Sequence, residues 1–322
     1  MLRTIIGILR GGSSSEYDLS LKTGAAMLSA LPEDRYDARD IFVDKQGIWH
    51  LRGIPVPSAR ALQQVDVVLN AMHGGVGEDG TLQRFLDTTG IPYAGSGAYA
   101  SAASYNKIRT HEILEAAGVR MPPFVAFSLN DNMTTAQMAR IVFNLFAPPY
   151  VVKPPREGAS TGIIIANSLV DLPDAIGDVL DTYGTALIEQ YIRGDHVSAA
   201  VIEDFRGDPL YVLPPAQQRF PVGTRMIEPA HHREASFEHI VPTYFSHDEK
   251  KTIEEMARKA HRALDMKHFS RTDFIKTPKA LYLLEVNAVP GLYPGASLPP
   301  MLESVGSSVS EFLDHAIHLA HS

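Results

Sequence analysis

The sequence contains no cysteine and only one tryptophan among its 322 residues. Without thiols the chain cannot form a disulfide, ligate zinc or an iron–sulfur cluster through cysteine, or use a thiol nucleophile. It also lacks an uncharged apolar run of the roughly 18 to 20 residues that a membrane helix needs. The apolar stretch in MLRTIIGILRGG is too short for a signal peptide. These absences predict a cytoplasmic protein with no membrane partner.

Basic residues are in deficit, with 29 Lys and Arg against 37 Asp and Glu, so the formal net charge is −8. Non-specific binding to nucleic acid needs a basic face. We therefore expect small-molecule partners and no nucleic acid. The length is that of a chain with two or three domains, each large enough to bury its own core.

Strand-like and helix-like segments alternate over the first hundred residues. A β-branched run from Thr4 to Leu9 precedes a stretch of helical periodicity from Leu19 to Leu28, and Val65 to Met72 forms a second strand-like run. This order predicts a parallel sheet. The turn-rich loop at 73–80 follows the second strand, and loops in that position bind ligands in such sheets.

A glycine-containing loop, Arg156 to Gly162, follows Lys153 at the end of a strand-like run. Its backbone N–H groups could surround a polyphosphate, and the lysine would supply a positive charge. Taken alone, the loop is more typical of an ordinary turn, because neither a Gly-Lys-Ser/Thr motif nor a helix follows it. Further along, the irregular, proline-containing segment 213–243 is of the length and kind that usually has a functional role.

Two helices are marked by their end signals. A helix from about Tyr105 to Ala117 is predicted to end at Gly118, which can adopt the positive φ of a C-cap. Ser246 and Glu249 have the spacing of a capping box, and the apolar stripe behind them is typical of a core-facing helix.

The segment Phe269 to Asn287 contains two strand-like runs around a short turn and predicts a hairpin. Strand alternation puts Arg271 and Asp273 on one face, with Glu285 and Asn287 on the matching face of the second strand. We expect the two carboxylates to lie within about one position of facing each other. Oxygen ligands of this kind suit Mg²⁺. The alternative is a salt bridge between the arginine and one carboxylate on a solvated face.

In chain order, these and further motifs resemble those of the D-alanine:D-alanine ligases of the ATP-grasp superfamily over the full length. The matching stretches are GGSSSEYDLS at 11–20, AMHGGVGEDGTLQ at 71–83, PYAGSG at 92–97, SYNKIR at 104–109, VVKPPREGASTG at 151–162, LIEQYI at 187–192, SRTD at 270–273, LLEVNAVPG at 283–291 and SLPPM at 297–301. The GGxSxE and HGxxGEDG elements belong to the ligase branch of that superfamily.

The resemblance implies an ATP-grasp fold of mixed α/β and α+β class. It places an N-terminal parallel-sheet domain at 1–98, a central subdomain at 99–192, and a C-terminal subdomain at 193–322 with an ω-loop at about 213–243. The implied reaction begins with phosphorylation of one D-alanine carboxylate by ATP, and a second D-alanine then attacks the acyl phosphate to form a dipeptide for peptidoglycan. Two Mg²⁺ ions, or Mn²⁺ in their place, and a homodimer are implied as well.

The resemblance also implies roles around the amino acids. Glu16 would orient the amine of the first D-alanine, with His73 nearby. Ser297 would hold the carboxylate of the second D-alanine. Arg271 and the amide of Gly291 would stabilise the oxyanion.

Other positions correspond to the family's nucleotide and metal site. They comprise Lys107, Lys153 and Ser160 for the phosphates; Glu189, Tyr191, Ile192 and Leu284 around the adenine; His196 at the position of a ribose-binding glutamate; and Asp273, Glu285 and Asn287 for the metals.

Four positions depart from the family pattern. At one of them His196 replaces the ribose-binding glutamate, although the adjacent Asp195 could substitute for it. Ala159 replaces a serine of the phosphate loop, and Ser236 with Phe237 replaces a lysine–tyrosine pair. In the family, that serine and tyrosine join the first-site glutamate in a hydrogen-bonded trio, so two hydroxyls are lost together. Three functions therefore stay open: a D-alanine:D-alanine ligase, a ligase with another amino-acid or hydroxy-acid acceptor, and a non-catalytic nucleotide-binding homologue.

Overall fold

Three β-sheets with their helices make up the fold, which the computed structural model describes over residues 3–219 and 238–321. The first sheet has the order β4-β3-β2-β1-β5-β6. Its strands are β1 (Thr4–Gly11), β2 (Tyr36–Val43), β3 (Trp49–Leu51), β4 (Ile54–Pro55), β5 (Val67–Asn70) and β6 (Tyr93–Ala94). Because β1 pairs in parallel with β2 and β5, and β5 with β6, the predicted parallel sheet is confirmed.

Helices link and cover this first sheet. They are α1 (Tyr17–Ala30), α2 (Ser58–Ala61) and α3 (Thr81–Thr89). Two helices from the end of the chain, α9 (Leu298–Ser304) and α10 (Val309–Ala320), pack into the same core through Met301 and Phe312, which meet Ile6 and Met27. The end of the chain therefore buries apolar surface of the first sheet.

The second sheet is antiparallel, with the order β7-β10-β8-β9. Its elements are β7 (Phe124–Ser128), α6 (Thr135–Leu145), β8 (Tyr150–Lys153), β9 (Ile164–Ala166), α7 (Leu172–Tyr183) and β10 (Thr185–Gln190). Both helices bury apolar side chains against the sheet, among them Val142 and Ile176. The predicted phosphate loop connects β8 to β9.

The third sheet has the order β14-β13-β11-β15-β16, with β12 also paired to β11. Its strands are β11 (Asp195–Phe205), β12 (Asp208–Val212), β13 (Ala216–Arg219), β14 (Glu238–Ile240), β15 (Phe269–Lys276) and β16 (Leu281–Asn287). Helix α8 (His247–Ala263) packs on it through Ile253, Ala257 and Ala260, and begins with the predicted capping box of Ser246 and Glu249.

The helix predicted at about 105–117 is confirmed as α5 (Lys107–Ala116), and Gly118 beyond its end has the expected positive φ of 70°. A separate helix, α4 (Ala98–Tyr105), precedes it. Asn106 separates them because its side chain accepts hydrogen bonds from the amides of Ile108 and Arg109 and so caps α5. Both helices pack on the third sheet, through Ala103 and Leu114. The proposed domain limits at 98 and 192 remain predictions of the sequence.

The hairpin predicted at 269–287 is present as β15 and β16. Asp273 pairs directly with Glu285, and Arg271 with Asn287. Glu285 lies one position farther from the turn than Asp273 does. A shift in register between Asp273 and Phe274 compensates for this difference. The four polar side chains therefore share one face of the sheet.

The predicted ω-loop, 213–243, is described only at its two ends, where β13 and β14 pair antiparallel. Ser236 and Phe237 lie outside the described residues, so the predicted loss of the lysine–tyrosine pair concerns a segment of which nothing structural is said. Within the described ranges, no helix is both long and apolar enough to cross a membrane.

Candidate active site

One cavity receives side chains from the surroundings of all three sheets, and every residue predicted for the site lines it. These residues are Glu16, His73, Lys107, Lys153, Ser160, Glu189, Tyr191, Ile192, His196, Arg271, Asp273, Leu284, Glu285, Asn287, Gly291 and Ser297. Their individual roles remain predictions, but the fold brings all of them to one place.

Glu16, which immediately precedes α1, lies between two glycine-containing loops. A Cβ atom added to Gly158 of the phosphate loop would overlap Oε1 of Glu16, and one added to Gly74 would lie 2.8 Å from it. Next to it, the Ser15 hydroxyl donates to Oε2 of Glu157 over 2.8 Å. The first sheet and the phosphate loop therefore meet at this carboxylate, and Gly158 permits the close approach.

The Glu16 carboxyl lies in an environment that disfavours its negative charge. Burial and the nearby Glu78 raise the pKa of Glu16 to about 8, although Lys107 opposes the shift. At neutral pH the group is therefore mostly protonated. A ligand ammonium placed beside it would favour the ionised form, which is the behaviour expected of an amine-binding carboxyl.

His73 is buried on the same side of the cavity. Its Nε2 atom lies 2.7 Å from Oγ1 of Thr23, and its Nδ1 atom lies 3.5 Å from Oε1 of Glu78. The Ser14 hydroxyl donates to the backbone carbonyl of His73. These contacts fix the imidazole as a wall of the cavity.

The two predicted phosphate-binding lysines are held in different ways. Lys107 donates to the Glu157 carbonyl over 2.6 Å, and its Nζ atom lies 3.4 Å from Oε2 of Glu285. Lys153 donates to Oε2 of Glu189 over 2.6 Å. Both lysines therefore present localised positive charge inside a cavity on a net-negative protein.

The side chain of Glu189, a residue predicted for the adenine hinge, is engaged with other protein groups. Its side chain is buried and lies between Lys153 and His111, whose Nε2 atom is 2.8 Å from Oε1. Burial by itself would raise the pKa of Glu189, but Lys153 and His111 outweigh it and lower the pKa to about 2. The carboxylate thus positions Lys153, and only the backbone of Glu189 remains for an adenine contact.

The rest of the predicted adenine hinge is tied to the second sheet. The amides of Gln190 and Tyr191 donate to the carbonyls of Pro123 and Pro149 over 2.9 and 3.0 Å. His196, at the predicted ribose position, lies on β11. Burial lowers the pKa of His196 to about 4 against the opposing effects of Asp273 and Asp195, so its imidazole is neutral at pH 7.

Asp273 is the most heavily contacted of the predicted metal ligands. Arg271 donates to both of its carboxylate oxygens, over 3.1 and 2.8 Å. Asp273 also accepts from the Ser198 hydroxyl over 2.6 Å and from Nδ2 of Asn287 over 3.2 Å. The salt bridge that the sequence left open is therefore formed. It does not involve Glu285, whose carboxylate faces Lys107.

The donor set still fits a hard divalent cation. Burial would raise the pKa of Glu285, but Lys107, Arg271 and Lys153 lower it to about 2, so this ligand is ionised. Because Asn287 gives its Nδ2 atom to Asp273, its amide oxygen is left for another partner. Two carboxylates and an amide oxygen suit Mg²⁺, and the surrounding cations suit the phosphate oxygens that complete its shell.

Sequence reasoning missed four side chains of this region. His111 positions Glu189, and Ser198 donates to Asp273. Tyr293 and His239 line the cavity beside the segment from Gly291 to Ser297. The sequence signal for His239 was its position at the end of the irregular segment 213–243. No motif marked Tyr293.

Most of the chain matches two family profiles. One, described as D-ala D-ala ligase C-terminus, matches residues 113–318, and the other, described as D-ala D-ala ligase N-terminus, matches residues 53–96. The chain belongs to the D-alanine–D-alanine ligase family. The members of this family are ATP-dependent ligases, so the resemblance seen in the motifs is confirmed.

Named relatives share nearly the full length of the chain. It is 32% identical to the D-alanine–D-alanine ligase of Carboxydothermus hydrogenoformans, over 98% of this chain and 97% of the relative. It is 33% identical to that of Geotalea uraniireducens, over 98% and 95%. The family assignment therefore rests on the whole chain and not on one domain.

Solved structures of family members have the same fold. D-alanyl-alanine synthetase A from Vibrio cholerae superposes with a TM-score of 0.86 at 25% identity, covering 100% of both chains. The VanG D-Ala:D-Ser ligase from Enterococcus faecalis gives 0.83 at 26% identity, covering 99% of this chain and 100% of the other. The predicted mixed α/β fold of a D-alanine–D-alanine ligase is thereby confirmed.

Proposed function

We propose that the protein is a D-alanine–D-alanine ligase that couples hydrolysis of ATP to formation of a peptide bond. The observation that carries this proposal is the position of Glu16. Its carboxyl, which suits an ammonium group, lies against Gly158, and the loop that contains Gly158 also accepts a hydrogen bond from Lys107. An amino acid held there has its carboxylate directed toward groups that suit phosphate.

The first step is transfer of the γ-phosphoryl group from ATP to the carboxylate of one D-alanine. Phosphoryl transfer depends mainly on positioning and on stabilising negative charge. Lys107 and Lys153 supply that charge, and Glu189 with His111 holds Lys153 in place. The Glu157 carbonyl does the same for Lys107.

Asp273, Glu285 and Asn287 would hold two Mg²⁺ ions, for which Mn²⁺ could substitute. Bound there, the ions would neutralise charge on the phosphate oxygens and polarise the phosphoryl group. The protein side chains prepare this site, because Arg271 orients the carboxylate of Asp273 and Lys107 faces that of Glu285 before the nucleotide arrives.

In the second step the amine of another D-alanine attacks the acyl phosphate. The C–N bond forms, the carbonyl oxygen becomes an oxyanion, the nitrogen loses a proton, and collapse of the tetrahedral species releases phosphate. Arg271 and the amide of Gly291 would donate to that oxyanion. Ser297, at the start of α9, would hold the carboxylate of the incoming amino acid.

The alternative acceptor, a hydroxy acid or another amino acid, depends on the loop that carries Ser236 and Phe237. The product of a peptide ligase and that of a depsipeptide ligase differ only in the attacking atom. A cytoplasmic location, expected from the absences in the sequence, and a homodimer, implied by the family resemblance, also remain predictions.

Release of phosphate from ATP with added substrates tests this function. Purified protein with ATP and Mg²⁺ should release phosphate upon addition of D-alanine and should form D-alanyl-D-alanine. If phosphate appears with D-alanine plus D-lactate or D-serine but not with D-alanine alone, the acceptor assignment is wrong. If nucleotide binds but no D-amino acid supports turnover, the chain is a non-catalytic homologue.

A further inference from the structure

The turn between Gly291 and Ser297 carries an aromatic ring that the proposed mechanism does not use. Tyr293 is 8% exposed and packs with Leu19, Ala296 and Ala159. Leu19 lies in the first turn of α1, directly behind Glu16. The ring therefore contacts a helix of the first sheet although its backbone belongs to the C-terminal part of the chain.

On one side, the Tyr293 ring covers the backbone of Gly291. A Cβ atom added to Gly291 would lie 2.6 Å from Cε1 and 3.1 Å from Cδ1 of the tyrosine. These separations are below van der Waals contact, so the ring lies directly on the Cα atom of Gly291. That residue supplies the amide proposed to bind the oxyanion.

On its other side, the ring faces His73. The two ring centroids are 6.4 Å apart with an interplanar angle of 87°, an edge-to-face arrangement. His73 and Leu19 both belong to the wall on which Glu16 would hold an amino acid. The tyrosine therefore closes this wall from the opposite side of the cavity.

The turn that carries the tyrosine is well fixed. The Ala296 amide donates to the Tyr293 carbonyl over 2.9 Å, and Gly295 has a φ of +90°, as the third position of a type II turn requires. His239 contacts the Gly295 carbonyl through Nε2 at 3.0 Å, and because a carbonyl can only accept, this nitrogen carries the proton. The backbone that carries the ring is therefore held in one conformation, and the packing of Tyr293 against Leu19, Ala296 and Ala159 holds the ring itself.

We propose that Tyr293 is a specificity-determining residue that restricts the donor amino acid, the one held by Glu16, to a side chain of about the size of a methyl group. The inference rests on the proposed function and deepens it. An added methylene would meet the ring, which cannot retreat because Gly291 and Leu19 lie against it.

The test measures formation of the acyl phosphate alone, with hydroxylamine in place of the second amino acid. Hydroxylamine attacks the acyl phosphate, so a hydroxamate forms and phosphate leaves, and only the donor site contributes to selectivity. The quantity compared is kcat/KM for D-2-aminobutyrate divided by kcat/KM for D-alanine, in the wild type and in three variants of Tyr293.

For Tyr293→Ala we expect this ratio to rise at least tenfold, since one methylene in a snug pocket changes selectivity by about 10- to 200-fold. Tyr293→Phe keeps the ring and should leave the ratio within about twofold of the wild type. Tyr293→Leu, which preserves most of the packing, should give an intermediate rise and decides the matter if the alanine variant does not fold.

An unchanged ratio in the folded alanine or leucine variant would overturn the proposal for Tyr293 while leaving the ligase function intact. A wild-type protein that forms no hydroxamate from any D-amino acid would instead contradict the proposed function. A change in the phenylalanine variant as large as that in the alanine variant would assign selectivity to the hydroxyl group and would also overturn the proposal, which concerns the ring.

Discussion

The Nζ atom of Lys153 lies 2.6 Å from Oε2 of Glu189, and both side chains are buried. The other oxygen of Glu189 faces His111 at 2.8 Å. A buried charge is tolerated when a partner and hydrogen bonds replace its water. This arrangement holds an ammonium group at a fixed position in the cavity wall. A flexible, exposed lysine would instead lose conformational entropy when it bound phosphate.

Glu189→Gln should destabilise the fold, because it leaves Lys153 buried without a carboxylate. Removing one partner of a buried ion pair costs about 3–5 kcal/mol. The free energy of unfolding, measured with urea, reports this loss. Glu112→Gln is the matched control, because Glu112 pairs with Arg109 at the surface with both side chains 52% exposed, and it should cost less than about 1 kcal/mol. Equal effects of the two substitutions would contradict the role of the buried pair.

The same pair predicts a pH dependence of stability. The pKa of Glu189 is lowered to about 2 in the folded state from an ordinary value of 4.5, so the folded state binds fewer protons at Glu189 than the unfolded state does. Its contribution is present above pH 4.5 and is lost as the pH falls towards 2. The difference in unfolding free energy between the wild type and Glu189→Gln should therefore narrow across this window. A constant difference would show that Glu189 does not titrate in this way.

Binding of D-alanine should release a proton at Glu16. Burial and Glu78 raise the pKa of Glu16 to about 8, so at pH 7 the free protein holds a proton there that a bound ammonium displaces. Calorimetry at pH 7 in buffers of different ionisation enthalpy should detect close to one proton released, and fewer above pH 8. Glu16→Gln should abolish this release. Binding by the wild type without proton release would contradict the assignment of Glu16.

Gly291→Ala should disrupt catalysis through Tyr293. The new methyl group would lie 2.6 Å from the tyrosine ring, so the ring or the segment carrying the oxyanion-binding amide must shift. Loss of one oxyanion donor costs about 10²- to 10³-fold in kcat, and we expect a decrease of this order. In Gly177→Ala, on α7, the methyl would lie 3.8 Å from Thr135 of α6, which is an ordinary contact. This control should retain activity, and comparable losses in the two variants would refute the mechanism.

Glu285→Ala should abolish turnover without unfolding the protein, because Glu285 is a proposed metal ligand and contacts Lys107. In the wild type, Mg²⁺ should bind tightly only together with ATP, since Lys107 and Arg271 already face the two carboxylates. Binding of Mn²⁺, followed by its electron paramagnetic resonance signal with and without ATP, tests this coupling. Glu255→Ala on α8, where Glu255 is 62% exposed, is the control for activity. Retained turnover in Glu285→Ala would refute the metal assignment.

Several features of the fold could be predicted because they depend on neighbours along the chain. Strand alternation placed Arg271 and Asp273 on one face of β15. The spacing of Ser246 and Glu249 marked the start of α8, since a capping box lies within one helical turn. Asn106 was missed although its cap is equally local, because the helix-compatible composition around it concealed a side chain that caps α5.

By itself, the sequence determined the family, the order of the elements and the residue types that reach the site, since these follow from motifs and local periodicity. Only the tertiary structure decided which groups distant in the chain meet: Glu189 with His111, 78 residues away, Asp273 with Ser198, and Tyr293 with His73. Such pairings, and the pKa shifts that follow from them, depend on distance and burial. Those quantities are set when separate sheets pack around one cavity, and no local pattern of residues contains them.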